Sequence, residues 1–207
     1  MHIPDGFLNI TTSVVTAVPA LVVFASAIRK LKKTFNDKLI PLMGVLAAFI
    51  FAAQMFNFPV AGGTSGHLMG GVLAAIILGP AAATVILTAV LIVQCILFQD
   101  GGLIAIGANV FNMAVVGVWV GWAVYSAVKS LSKKVFIESI AIFFASWVSV
   151  LAAATCCALE LSFSGTAPLK IVLPAMLGVH AVIGLGEGFI TLVVVNLIKK
   201  AKPEIIY

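Results

Sequence analysis

Leu68-Met-Gly-Gly-Val-Leu-Ala-Ala-Ile-Ile-Leu-Gly-Pro-Ala-Ala-Ala-Thr-Val-Ile-Leu-Thr-Ala-Val-Leu-Ile-Val-Gln-Cys-Ile-Leu-Phe98 decides how this chain is arranged. The run carries no charged residue. A membrane-spanning helix needs ~20 apolar residues. Taken whole, the run makes one long span. Divided at Gly79-Pro80, it makes a short segment, residues 68–78, and a full one, residues 81–98. Proline removes a backbone donor and clashes with the preceding turn, so the Gly-Pro pair favours division. A short helix that begins deep in the protein reconciles the length of the first piece.

The same reading applied to the rest of the chain gives seven apolar segments: residues 8–28, 39–57, 68–78, 81–98, 103–128, 136–161 and 172–198. Of the 207 residues, 62% are hydrophobic and 9% charged, and the mean hydropathy is +1.22. Soluble domains carry about 25% charged residues, and a chain of this length has no core large enough to hide so much apolar surface. The solvent is therefore lipid. The expected fold is all-α: a polytopic membrane helical bundle in the cell membrane, one transmembrane domain over residues 1–207.

Charge placement supports the division at Gly79-Pro80. With seven transmembrane helices, the N-terminus outside and the C-terminus cytoplasmic, the inner loops hold Arg29, Lys30, Lys32, Lys33, Lys38, Lys129, Lys133 and Lys134, and the tail adds Lys199, Lys200 and Lys202. Only Lys170 of the 12 basic residues falls outside. A single long helix over residues 68–98 would move the Lys129–Lys134 cluster outside, against the positive-inside rule. The net charge of +5 is explained by these short basic runs, and no basic face forms for nucleic acid. Cys95, Cys156 and Cys157 lie in apolar segments with no zinc or disulfide spacing and read as small buried side chains. Gly117-Val-Trp-Val-Gly121 and Gly184-Leu-Gly-Glu-Gly188 fit close helix packing through small residues.

Three irregular polar pieces fall on the outer side in this topology: the N-terminal segment 1–8, the glycine-rich loop 58–67, and Gln99-Asp-Gly-Gly102. A functional site is expected there. No Lys or Arg precedes Arg29 and no small-residue cleavage pattern follows an apolar core, so Met1 is the expected mature N-terminus. The chain has three histidines, His2, His67 and His180. The α-amino group of Met1, the backbone nitrogen of His2 and the His2 imidazole can close adjacent chelate rings on one ion, once the amide loses its proton. The imidazole of His67, at the end of the glycine-rich loop, is the best-placed fourth donor. Four nitrogens in a square point to Ni²⁺ or Cu²⁺; imidazole also suits Co²⁺. Hard ions such as Mg²⁺ want oxygen. The plainer alternative is an incidental surface His2 and a His67 that caps a loop.

The octapeptide Met1-His-Ile-Pro-Asp-Gly-Phe-Leu8 and the segment Gly63-Thr-Ser-Gly-His-Leu-Met-Gly-Gly71 resemble the two signatures of the CbiM/NikM family, the substrate-capture (S) components of energy-coupling-factor transporters for cobalt and nickel. The resemblance covers essentially the whole chain. It implies Met1, His2 and His67 as the metal ligands. It implies Ni²⁺ or Co²⁺ as transported substrate, and as partners a pair of ATPase subunits, a transmembrane coupling subunit and a small accessory membrane subunit.

Metal-bound histidines pass their second N–H to an outer acceptor; Asp5 and Asp100 are candidates, or else they cap turns. Thr64 and Ser65 read as residues that satisfy loop amides. Asn109 and Asn112 read as interhelical hydrogen-bonding residues. Glu187 reads as a buried carboxyl that holds helices together. Two rival functions follow from the same residues. One is an autonomous carrier with His180 and Glu187, two helical turns apart, as a proton relay. The other is an intramembrane protease, for which the sequence holds no His-Glu-x-x-His motif or acidic dyad. The chain also lacks the Gly-x-x-x-x-Gly-Lys-[Ser/Thr] phosphate loop of an ATPase, so it is expected to be a transport subunit and not an enzyme.

Overall fold

The computed structural model describes residues 1–34, 39–60, 64–132, 134–202 and 206–207. Lys38, Lys133 and residues 61–63 of the glycine-rich loop, all used in the reading above, lie outside the described residues.

Each of the seven apolar segments contains helix. They are α1 (Ile10–Thr34), α2 (Leu39–Gln54), α3 (Gly71–Leu78), α4 (Pro80–Phe98), a composite of α5 (Ile106–Val110), a π-helical segment (Phe111–Gly117) and α6 (Val118–Ser130), then α7 (Val135–Phe163) and α8 (Leu169–Ala201). By length and composition, five are long and apolar enough to cross a membrane, the composite counting as one; α2 and α3 are shorter. The protein is inside out by soluble standards. Leu21, Val22, Ile96, Leu97, Phe189 and Val193 face outward, while Gln54, Gln94, Asn109, Asn112, Ser149, His180 and Glu187 are buried. That is the pattern lipid demands, since a polar side chain without a partner is costly in hydrocarbon.

The break at Gly79-Pro80 has a clear cause. Gly79 sits at φ 83°, ψ 158°, a conformation closed to side-chain-bearing residues. Pro80 then opens α4, where its missing N–H costs nothing. All eight residues of α3 are buried, so this short helix is the centre of the bundle, packed against α4, α6, α7 and α8. The expected Gly-x-x-x-Gly contacts are present. A Cβ on Gly117 would strike Met69, and one on Gly121 would strike Val72. Gly184 and Gly188 lie against Trp147 and Phe143, joining α7 to α8.

Two departures from the sequence reading matter. The fold is not purely α: Phe58–Val60 (β1) and Thr64–Gly66 (β2) pair antiparallel, with Phe58 opposite Gly66 and Val60 opposite Thr64. In addition, α2 stops at Gln54 rather than Asn57, leaving the chain free to turn into β1. The π segment is a second irregularity. Wider π turns disturb the carbonyl ladder, and here hydroxyls from neighbours support it: Thr84 donates to the Ala114 carbonyl at 3.1 Å and Ser149 to Gly117 at 2.8 Å.

Candidate metal site at the buried chain end

Residues 1–9 form no regular structure, yet Met1 and Ile3 are fully buried and His2 nearly so. A chain end can be buried in this way only if its backbone is paired, and side chains supply most of the partners. The Asn109 amide accepts from Ile3 N–H at 2.8 Å and donates to Ile3 C=O at 3.1 Å. Gly102 N–H donates to the same carbonyl at 2.9 Å. The Asp5 carboxylate accepts from the amides of Leu103, Ile104 and Ala105 at 3.0, 2.8 and 3.3 Å, just before α5. Thr166 donates to the Phe7 carbonyl. Asn9 caps α1 by accepting from Thr12 N–H at 2.8 Å and donates to the Phe163 carbonyl at 3.2 Å.

These straps bring the N-terminal segment, the hairpin and the turn at residues 99–102 to one end of the bundle. The Met1 amine donates to the Ser65 carbonyl and lies 3.4 Å from its hydroxyl. The rings of His2 and His67 stack, centroids 4.5 Å apart and 16° from parallel. His67 Nδ1 donates to the Leu68 carbonyl at 2.7 Å. That bond fixes the tautomer and leaves Nε2 with a bare lone pair, buried and without a partner. His2 Nδ1 is 3.0 Å from Asp100 Oδ1, close enough for strong attraction but off the hydrogen-bonding direction. Among the described residues, nothing accepts from the His2 amide N–H.

Burial sets the electrostatics. Desolvation lowers the Met1 amine to about 5, against weaker opposing pulls from Cys157 and Asp100. Desolvation likewise lowers His2, with Asp100 resisting. It lowers His67 well below the usual imidazole value, helped by the charges of the amine, His2 and His180. Burial pushes the Asp100 carboxyl up, but the close approach and charge of His2 and the charge of the amine outweigh it, and the net direction is down. The result is a cluster of neutral nitrogen bases beside one carboxylate.

Several expected site residues take other places. Asp5 does not reach His2; it holds the chain before α5, and Asp100 is the carboxylate at the imidazole. Thr64 does not serve a loop amide: its hydroxyl donates to the Met176 sulfur at 3.1 Å. Ser65 serves through its carbonyl more than its hydroxyl. Glu187 ties α8 to the chain before α3 rather than to another helix, accepting from Met69 and Gly70 N–H at 2.5 and 2.8 Å. Asn109 grips the chain end, a role that sequence reasoning gave no residue; an amide in an apolar stretch was the only signal. No three His, Cys, Asp or Glu side chains converge as a metal cluster among the described residues; the candidate donors include main-chain nitrogen. A cavity of about 410 Å³ lies elsewhere, between α1, the π segment and α7 beside Glu160.

The family model for the "cobalt uptake substrate-specific transmembrane region", CbiM, matches residues 2–205. The chain belongs to the CbiM family. CbiM-family relatives include a putative fused nickel transport protein NikMN of Archaeoglobus fulgidus, 43% identical over all of this chain and 68% of that protein. A cobalt transport protein CbiM of Acetoanaerobium sticklandii is 30% identical over 99% of this chain and 86% of its own length. A crystal structure of a truncated transition metal transporter matches with a TM-score of 0.91 at 36% identity, covering 97% of this chain and 99% of the other. As in this CbiM family generally, the chain is a multi-pass protein of the cell membrane.

Proposed function

We propose that this chain is the substrate-capture subunit of an energy-coupling-factor importer, and that it takes up Ni²⁺ or Co²⁺ through the Met1 amine, the amide and imidazole of His2, and the imidazole of His67. Residues 1–207 act as one transmembrane unit of seven passes, with the chain end outside. ATP hydrolysis comes from separate ATPase subunits, reached through a transmembrane coupling subunit and a small accessory one.

The observation that carries this reading is the meeting of the Met1 amine and His2 with the distant His67 in one buried place. Neutral nitrogen donors of this kind suit borderline divalent ions and not Mg²⁺ or Ca²⁺. The charge sum also favours it. A divalent cation, one deprotonated amide and the Asp100 carboxylate add to zero, and a buried site needs near-neutrality. The six-membered chelate ring closes through His2 Nδ1, so capture exchanges Asp100 for the ion at that nitrogen. The names of the relatives favour nickel and cobalt alike, and the donor set holds either. The proton-relay carrier finds less support, because both Glu187 oxygens are occupied by backbone amides.

The pass count is supported by which helix ends meet. The end of α6, the start of α7 and the end of α8 share Glu138 with Lys129, at 3.4 Å, and Lys199. The end of α1, the start of α2 and the α3–α4 break line one recess with Tyr207.

Isothermal titration of the purified protein with Ni²⁺ tests the site. His2→Ala, His67→Ala, and a chain extended by one residue before Met1 should each bind at least about 100-fold more weakly, some 3 kcal/mol. Wild-type affinity in all three would defeat the assignment.

A further inference from the structure

The strap from Thr64 to Gly70 runs lengthwise along α8. Thr64 meets Met176. A Cβ on Gly66 would lie 3.2 Å from Val179 and 2.7 Å from Ile183. Met69 and Gly70 are held by Glu187. Positions 176, 180, 184 and 187 share one helical face, so His180 lies between these fastenings, beside the part of the strap that leads into His67. It is fully buried. Its Nδ1 donates to the Met176 carbonyl at 2.7 Å, and its Nε2 has no partner. His67 is arranged the same way, one N–H spent on a carbonyl and one bare nitrogen. Ser65, which takes the Met1 amine, and Gly66, which precedes His67, fall within the same stretch of the strap. A buried acceptor left unpaired costs about 1–3 kcal/mol, a cost that a visiting cation would offset.

We propose that His180 is a relay ligand for the transported cation, next after the capture site. The proposal rests on the capture site above. When the ion leaves the Met1 amine and His2, His67 Nε2 stays bound and His180 Nε2 becomes the second donor. The His2 amide regains from water the proton it gave up on capture. The ion passes from four nitrogens, one of them anionic, to two neutral imidazoles. It is held less firmly there, on the face of α8. Borderline divalent ions accept imidazole readily, so the exchange needs no new ligand chemistry.

His180→Asn is the informative variant. Asparagine can still donate to the Met176 carbonyl, as Nδ1 does, but has nothing in the place of Nε2. In an otherwise unchanged chain it should keep Ni²⁺ affinity within about threefold, while uptake by cells carrying the complete transporter falls roughly 10- to 100-fold. X-ray absorption gives the second readout. His2→Ala loaded with excess Ni²⁺ should show two imidazoles on the metal, and His2→Ala with His180→Asn should show one. Equal imidazole counts in the two proteins would overturn the relay. So would a loss of tight binding in His180→Asn as large as in His67→Ala, because His180 would then be a resident ligand. Tight binding that survives His2→Ala would overturn the capture site itself, and the relay with it.

Discussion

Burying an amine removes the proton that would otherwise compete with a metal. An exposed α-amino group titrates near 8 and is mostly charged at neutral pH. Desolvation brings the Met1 amine to about 5, so at pH 7 it is already a free base, and His2 and His67 are shifted the same way. Only the His2 amide then has a proton to lose. Capture at pH 7 should release about one proton per ion, which titration calorimetry in buffers of different ionisation heat would count; two protons would contradict the buried neutral amine. The affinity should fall about tenfold per pH unit near neutrality and more steeply as the pH drops through about 5, where the amine begins to take up a proton. At this scale the sequence named the residues that the structure brings together, Met1, His2 and His67, because a chain with three histidines offers few choices. It did not separate Asp5 from Asp100. Both sit near glycines in polar turns, and which carboxylate faces the imidazole depends on how residues 1–9 thread past α5. The grip of Asn109 on Ile3 was hidden for the same reason.

Among the elements, the α3–α4 break is the most exacting. Gly79 occupies a region of backbone space that costs a residue with a side chain about 1–3 kcal/mol, and an added Cβ would lie 2.9 Å from the Tyr207 ring. Gly79→Ala should lower the thermal midpoint in detergent by several degrees, whereas Pro80→Ala, at the first helical position, should change it little. Equal midpoints for Gly79→Ala and the parent protein would mean that the break does not need glycine. This break was legible because a Gly-Pro pair in an apolar run has one common meaning. The hairpin was not. Its strands are three residues each, too short for an alternating pattern, and β2 is fixed by contact with α8. The π segment was equally silent: the glycine in Phe111–Gly117 is its last residue and reads as a packing contact, and the supporting hydroxyls of Thr84 and Ser149 come from other helices.

For the molecule as a whole, the apolar exterior and the pairing of helix ends make orientation testable. A chain with Cys95, Cys156 and Cys157 replaced by serine or alanine, carrying one new cysteine at Asp100 or at Ser132, separates the two sides. A membrane-impermeant maleimide applied to intact cells should label the first and not the second. Labelling of Ser132→Cys alone would invert the proposed topology.

The straps on residues 1–9 have a consequence for the order of assembly. Their partners lie 64, 106, 154 and 159 residues downstream, at Ser65, Asn109, Phe163 and Thr166. A ribosome makes residues 1–9 before any of these partners, and so the segment proposed to hold the cation has nowhere to sit until most of the polypeptide exists. What is made ahead of its partners is locked last.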